Sequence, residues 1–131
     1  MLRLSLLDGL FAVCRLSASE PVPGWAQRGP FFSISRTPEE LSIVCEERAV
    51  PSGVKAEAGW RCLKVEGPLD FSVTGVLSSI AGPLADAKVS LFAVSTFDTD
   101  YLLVKESDMD SAIAALKARG HAFEGSRAKL A

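Results

Sequence analysis

Between Trp60 and Val104 the chain reads WRCLKVEGPLDFSVTGVLSSIAGPLADAKVSLFAVSTFDTDYLLV, and the order of apolar runs and breakers in it leaves few folds open. The run from Trp60 to Glu66 reads as a strand that ends at Gly67-Pro68. The polar loop that follows opens a helix. Val76/Leu77, Ile80, Leu84 and Ala87 recur at helical spacing, and Ser72 or Thr74 is placed to cap it. Pro83 falls inside that stripe and is expected to kink the helix or remove one backbone bond. Val89 to Thr96 reads as a buried strand, Phe97-Asp98-Thr99-Asp100 as an acidic corner, and Tyr101 to Lys105 as a third strand. Ser107 is placed to cap a second helix whose stripe is Met109, Ala112, Ile113 and Leu116. Lys117 and Arg119 suit its last turn, and Gly120 stops it. His121-Ala122-Phe123 can add a short final strand. The expected order is βαββαβ, two helices on one face of an antiparallel sheet.

The residues before this stretch give a weaker, shortened version of the same order. Leu2, Leu4 and Leu6 alternate with Arg3 and Ser5, which predicts a strand. Asp8-Gly9 predicts a hairpin to a return strand, Leu10 to Leu16. SASEPVPG breaks the pattern, and Pro21 to Gln27 has room for at most a short helix. Pro30 to Arg36 is strand-like. Thr37-Pro38-Glu39-Glu40 has the order of a helix start or turn, and SIVCEE returns as a strand. The polar segment Arg48 to Gly59 reads as the connection between halves. The expected fold class is therefore α+β: two tandem βαββαβ units, the N-terminal one shortened. The division is residues 1–57, residues 58–124 and a tail, residues 125–131.

Composition narrows the function. With 131 residues, 48% apolar and 23% charged, the chain can bury a core without staples. A net charge of -2 with no basic stripe argues against nucleic-acid binding. No apolar stretch is long enough to span a bilayer, and the leucine-rich start is interrupted by Asp8-Gly9, which favours a hairpin over a signal peptide. The 3 cysteines, Cys14, Cys45 and Cys62, each sit in a strand-like apolar run. They read as small core residues of a protein in a reducing cytoplasm. Trp25 and Trp60 read as core or interface anchors. His121 is the single histidine and reads as a surface residue after a helix stop. No nucleophile–base pair, metal spacing or phosphate loop accompanies it. A binding module without cofactor or metal is the expected class, ahead of an enzyme.

The motifs WRCLKVEG, LDFSVTGVL, AGPLADA and STFDTDYLLV resemble the ACT domain, a small βαββαβ module that binds amino acids. They are most similar to paired-ACT proteins of the CASTOR arginine-sensor and aspartate-kinase regulatory type. RTPEELSIVCE resembles the degenerate N-terminal partner of such pairs. The resemblance implies a ligand held at the loop and helix start, Asp70-Phe71-Ser72-Val73-Thr74-Gly75-Val76, against the corner that carries Asp98 and Asp100. It also implies that Asp100 meets the ligand's amino end. Val73 stands where an arginine sensor carries the acid that reads the guanidinium, so the implied ligand is an amino acid or similar metabolite rather than arginine. Self-association into a homo-oligomer is implied as well. A module that has kept the fold but lost the ligand, and acts through dimerisation or a protein partner, is the alternative.

The residues themselves agree with part of this. A helix N-terminus offers unpaired N–H groups to a carboxylate, Gly75 allows close approach to the backbone, and Asp98 and Asp100 offer acceptors to an ammonium group. Each also has an ordinary reading. Asp98 and Asp100 suit a turn, Ser72 and Thr74 a helix cap, Gly75 a tight helix start and Phe71 a core.

Overall fold

The computed structural model describes residues 2–66 and 75–124. In chain order the strands are β1 (Arg3–Leu6), β2 (Phe11–Leu16), β3 (Ser33–Arg36), β4 (Leu41–Glu46), β5 (Lys55–Val65), β6 (Phe92–Ser95), β7 (Asp100–Lys105) and β8 (Ala122–Glu124). Helix α1 is Val76–Asp86 and α2 is Met109–Ala118. Short 3-10 turns occupy Gly24–Gln27, Glu47–Ala49 and Glu106–Asp108. The mixed α+β class and the ferredoxin-like order are as expected. Two compact units form: Gly9–Trp60, and the described residues of Met1–Asp8 with Arg61–Ala131.

In the unit that carries both helices the strands lie in the order β6-β7-β5-β1-β8. Counted from β5, the βαββαβ series runs second, third, first, fourth, with β1 interposed between first and fourth. β1 is antiparallel to β5, with Leu4 opposite Val65, and parallel to β8, with Leu4 opposite Phe123. Leu4, Leu63, Val65, Leu102 and Val104 meet Ile80 and Leu84 of α1 and Met109, Ile113 and Leu116 of α2 in one core. Alternation along the strands and helical spacing along α1 and α2 thus aim at one shared face. Each of these aliphatic side chains contributes about 1.5–3 kcal/mol by burial.

The unit Gly9–Trp60 carries the order β3-β4-β2-β5. Counted from β2, this is again second, third, first, fourth. Its α-helices are replaced by the 3-10 turns Gly24–Gln27 and Glu47–Ala49. One core cluster of this unit is Ala12, Cys14, Leu41, Ile43 and Cys45, with Ala26 from the first of those turns, and Phe11, Phe31, Val44 and Trp60 are buried as well. Trp25 packs against that core.

Several expectations are corrected here. Asp8-Gly9 does not close a hairpin, because β1 pairs with β5 and β8 while β2 pairs with β4 and β5. Gly9 supplies the bend with φ 81°. A turn signal fixes a local bend and not a partner, and β5 is long enough to pair with β2 over its first half and β1 over its second. β5 begins at Lys55 rather than Trp60. Its exposed first half offers only alanines between charged residues and no large apolar side chain, so its pairing with β2 reveals it. Of the two readings left open for Thr37 to Glu40 the turn is the one found, between β3 and β4, closed by Thr37 N–H on the Glu40 carbonyl at 2.9 Å. Ser107 lies inside a 3-10 turn and is not the cap of α2, which starts after Asp108.

His121 is buried, 7% exposed, rather than at the surface. α2 ends in paired backbone bonds. Gly120 N–H donates to Lys117 O at 2.9 Å and His121 N–H to Leu116 O at 3.1 Å, the Schellman arrangement. That closure turns the imidazole inward. Its Nε2 lies 3.1 Å from Ser79 O. Ser79 O is the carbonyl that Pro83, four residues on, cannot serve. The bond lost at Pro83 is therefore replaced from β8's side of the fold.

Candidate functional site

The corner between β6 and β7 is built from its own polar groups. Ser95 and Asp100 are opposite one another in the ladder. Ser95 Oγ–H donates to Asp100 Oδ1 at 2.6 Å. Thr96 N–H donates to Thr99 O at 2.8 Å, and Thr96 Oγ1 donates to the same carbonyl at 3.0 Å. These bonds leave Phe97 and Asp98 at the tip. Phe97 is 79% exposed.

Thr99 ties this corner to the rest of the unit. It is buried, and its Oγ1–H donates to Val65 O at 2.6 Å. Val65 is the last residue of β5. The corner is thus held against the end of the strand from which the chain leaves toward α1. Nothing in the sequence marked Thr99 except its place between two aspartates in FDTD. Glu66 follows Val65 and accepts a bond from Ser5 Oγ–H, while its N–H donates to Arg3 O at 2.8 Å. A second carboxylate, also missed from sequence, therefore stands at this end of β5.

α1 starts at Val76 with Gly75 at the cap position, φ 77° and ψ 3°, and no side-chain cap bond. Neither Ser72 nor Thr74 occupies that position. The reason is conformational: the chain enters the helix through the left-handed region, which glycine adopts without cost from a Cβ. A Cβ on Gly75 would meet nothing closer than Ser78 Oγ at 3.7 Å, so backbone angle rather than crowding calls for glycine. Ser79 N–H makes the first helical bond, to Gly75 O at 2.9 Å. The amides of Val76, Leu77 and Ser78 precede it and have no partner within the helix. The hydroxyls of Ser78 and Ser79 turn back to the carbonyls of Gly75 and Val76 and do not serve those amides.

Of the expected site residues, Gly75 and Val76 stand at the helix start, Asp100 at the β7 end of the corner and Asp98 at its exposed tip. Asp70, Phe71, Ser72, Val73 and Thr74 lie outside the described residues. Elsewhere the three cysteines are free and buried. Burial pushes the thiols of Cys45 and Cys62 up to about 12, and that of Cys14 upward as well. Among the described residues no group of three His, Cys, Asp or Glu side chains is placed to hold a metal ion. No described helix is long and apolar enough to cross a membrane.

Residues 55–118 match the family model of the ACT domain. The chain belongs to the ACT-domain family. A second family model, of an N-terminal domain, matches residues 9–53. The ACT match begins at the first residue of β5 and stops before β8. The chain is 35% identical over 130 residues to the cytosolic arginine sensor for mTORC1 subunit 1 of Mus musculus, covering 88% of this chain and 38% of that protein. It spans, then, well under half of the sensor's length. The crystal structure of protein Atu0741 from Agobacterium tumefaciens superposes with a TM-score of 0.90 at 42% identity, over 94% of this chain and 92% of that one. The ligand-free regulatory subunit of aspartate kinase from Thermus thermophilus shares the fold, with a TM-score of 0.61 at 11% identity, over 87% of this chain and 94% of that one.

Proposed function

We propose that this ACT-domain chain is a non-enzymatic, cytoplasmic regulatory module that binds an amino acid, or a metabolite with the same two charged ends, and works as a homo-oligomer. The ligand would lie between the start of α1 and the corner from Asp98 to Asp100, with the loop from Asp70 to Thr74 completing the site. One observation carries this reading: α1 opens with no side-chain cap, downstream of the strand end to which the acidic corner is bonded through Thr99. A carboxylate would meet the amides at the helix start, and an ammonium group would meet Asp100. The relationship to a protein named as an arginine sensor supports the class of ligand.

The test is a thermal-shift screen against the twenty amino acids, followed by calorimetry. A ligand that binds only the folded chain raises its midpoint by mass action. A charge-assisted bond to Asp100 contributes about 1.5–3 kcal/mol, so Asp100→Ala should weaken binding by roughly 10- to 100-fold. Val73→Glu should improve arginine relative to neutral amino acids. Tight arginine binding by the parent, or binding that ignores Asp100→Ala, sinks the site as drawn.

One observation favours a second reading. Asp100 already accepts the Ser95 hydroxyl, as a purely structural corner would require. A module that has lost its ligand and acts through dimerisation or a protein partner then gives no shift with any amino acid. Its sedimentation would show self-association alone.

A further inference from the structure

We propose that His121 is a proton-sensitive latch that fastens the N-terminal strand to α1 and β8. The inference is independent of the ligand reading. Leu2 N–H donates to His121 Nδ1 at 3.1 Å, and Ala122 N–H donates to Leu2 O at 2.9 Å. Both backbone groups of Leu2 are therefore held by two consecutive residues. On the other side of the ring, Nε2 reaches Ser79 O at 3.1 Å.

The partners dictate the state of the ring. A backbone N–H can only donate, so Nδ1 must be an acceptor without a proton. A carbonyl can only accept, so Nε2 must carry one. Only the neutral Nε2–H tautomer meets both conditions. A second proton would sit on Nδ1 and face Leu2 N–H, donor against donor, in a largely buried site. Ser79 O does not lose its donor in that state. The bond that fails is the one to Leu2.

The position is built by three separate devices. Pro83 frees Ser79 O, the closing bonds of α2 fix His121 after Gly120, and β1 arrives as the parallel neighbour of β8. The charged groups on the elements that meet here are engaged with one another. Arg3 of β1 pairs with Glu124 of β8 at 3.3 Å, and Asp86 at the end of α1 pairs with Arg119 after α2 at 2.9 Å. Lys117, in the last turn of α2, is exposed. None of these pairs places a carboxylate on the ring to hold an imidazolium. A proton on Nδ1 thus frees the Leu2 N–H, while β1 keeps its ladders to β5 and β8 from Arg3 onward.

The test is NMR on the intact chain. At neutral pH the imidazole nitrogens should report Nδ1 unprotonated and Nε2 protonated. Lowering the pH from about 7.5 to about 5.5 spans the range in which imidazoles charge. Over that range Leu2 N–H exchange, corrected for its intrinsic rate, should speed up roughly tenfold, the scale of one lost buried hydrogen bond. His121→Asn keeps an acceptor near Nδ1 but cannot take up a proton, so Leu2 exchange should then ignore pH. The opposite tautomer in the parent overturns the latch without any variant. So does Leu2 protection that persists at low pH, or an Asn variant that keeps the parent's pH response.

Discussion

The two units carry the same strand order on different covers. In Gly9–Trp60 the sheet is covered by 3-10 turns; Ala12, Cys14, Ala26, Leu41, Ile43 and Cys45 form one cluster, and Phe11 and Phe31 meet edge to face. In the other unit two α-helices bring Ile80, Leu84, Met109, Ile113 and Leu116 onto the sheet. The difference teaches that pairing sets the topology while the cover sets which side chains are buried against it. It also explains why the helical unit can leave the start of α1 uncapped. Its core holds the helix from below, so the first turn does not depend on a capping side chain.

Thiol labelling is the strongest way to break this comparison. Cys14 and Cys45 report on the unit Gly9–Trp60, Cys62 on the other unit, and all three are buried. Labelling of the native chain should be slower than that of the unfolded chain by ~10³-fold or more, the inverse of a small unfolded fraction. Cys14 and Cys45 should react sooner than Cys62, because a sheet covered by 3-10 turns opens more easily. Equal rates for all three would show that the covers do not govern opening.

Core truncation is the next test. Leu84→Ala and Ile43→Ala each remove a fully buried aliphatic side chain, and such changes cost about 2–5 kcal/mol in urea denaturation. Leu84 should fall at the upper end, since two helices cannot settle into the gap. Ile43 should fall at the lower end, under a cover free to collapse. The reverse order would mean that the cluster around Ile43 is the better packed.

Alkaline pH probes both units with one chemistry. Desolvation raises the thiols of Cys45 and Cys62 from 9.0 to about 12. The folded chain then keeps protons that the unfolded chain releases. The stability they contribute is fully present below pH 9.0 and is lost as pH rises from there toward about 12. Urea midpoints should fall across that window, and Cys45→Ala or Cys62→Ala should each flatten the slope.

The smallest effects come from two glycines of α1. Gly75→Ala forces a side chain into the left-handed region and should cost about 1–2 kcal/mol. Gly82 has no positive φ and open space around its missing Cβ. Gly82→Ala should stabilise the helix by about 0.5–1 kcal/mol. A matched effect at the two positions would remove the argument for an angle-driven start to α1.

Much of the helical unit could be read from its residues, because alternation and helical spacing are local signals with large side chains behind them. Leu4, Ile80, Leu84, Met109, Ile113 and Leu116 all fall in the core their spacing implied. What escaped is set by distant partners. Lys55 to Gly59 are strand residues because β2 lies beside them, and β1 finds its neighbours at Val65 and Phe123 instead of Val13. His121 reads as a loop residue until Leu2 and Ser79 arrive on either side of it. At the corner the aspartates stood out by charge. Thr99, whose hydroxyl anchors the turn, has an unremarkable side chain whose importance comes from where Val65 ends.

The interposed β1 has a consequence for how such a domain can be inherited. The stretch matched by the ACT family model, residues 55–118, excludes both β1 and β8. A gene segment cut at those limits would encode β5 with a bare flank, and a sheet two strands short. Recombination that separated Arg3–Leu6 from Lys55–Val65 would leave each product incomplete, even with every residue of the recognisable stretch intact. The piece that completes this sheet is larger than the piece the ACT family model outlines, and it takes in the short strand before Asp8 along with everything that lies between.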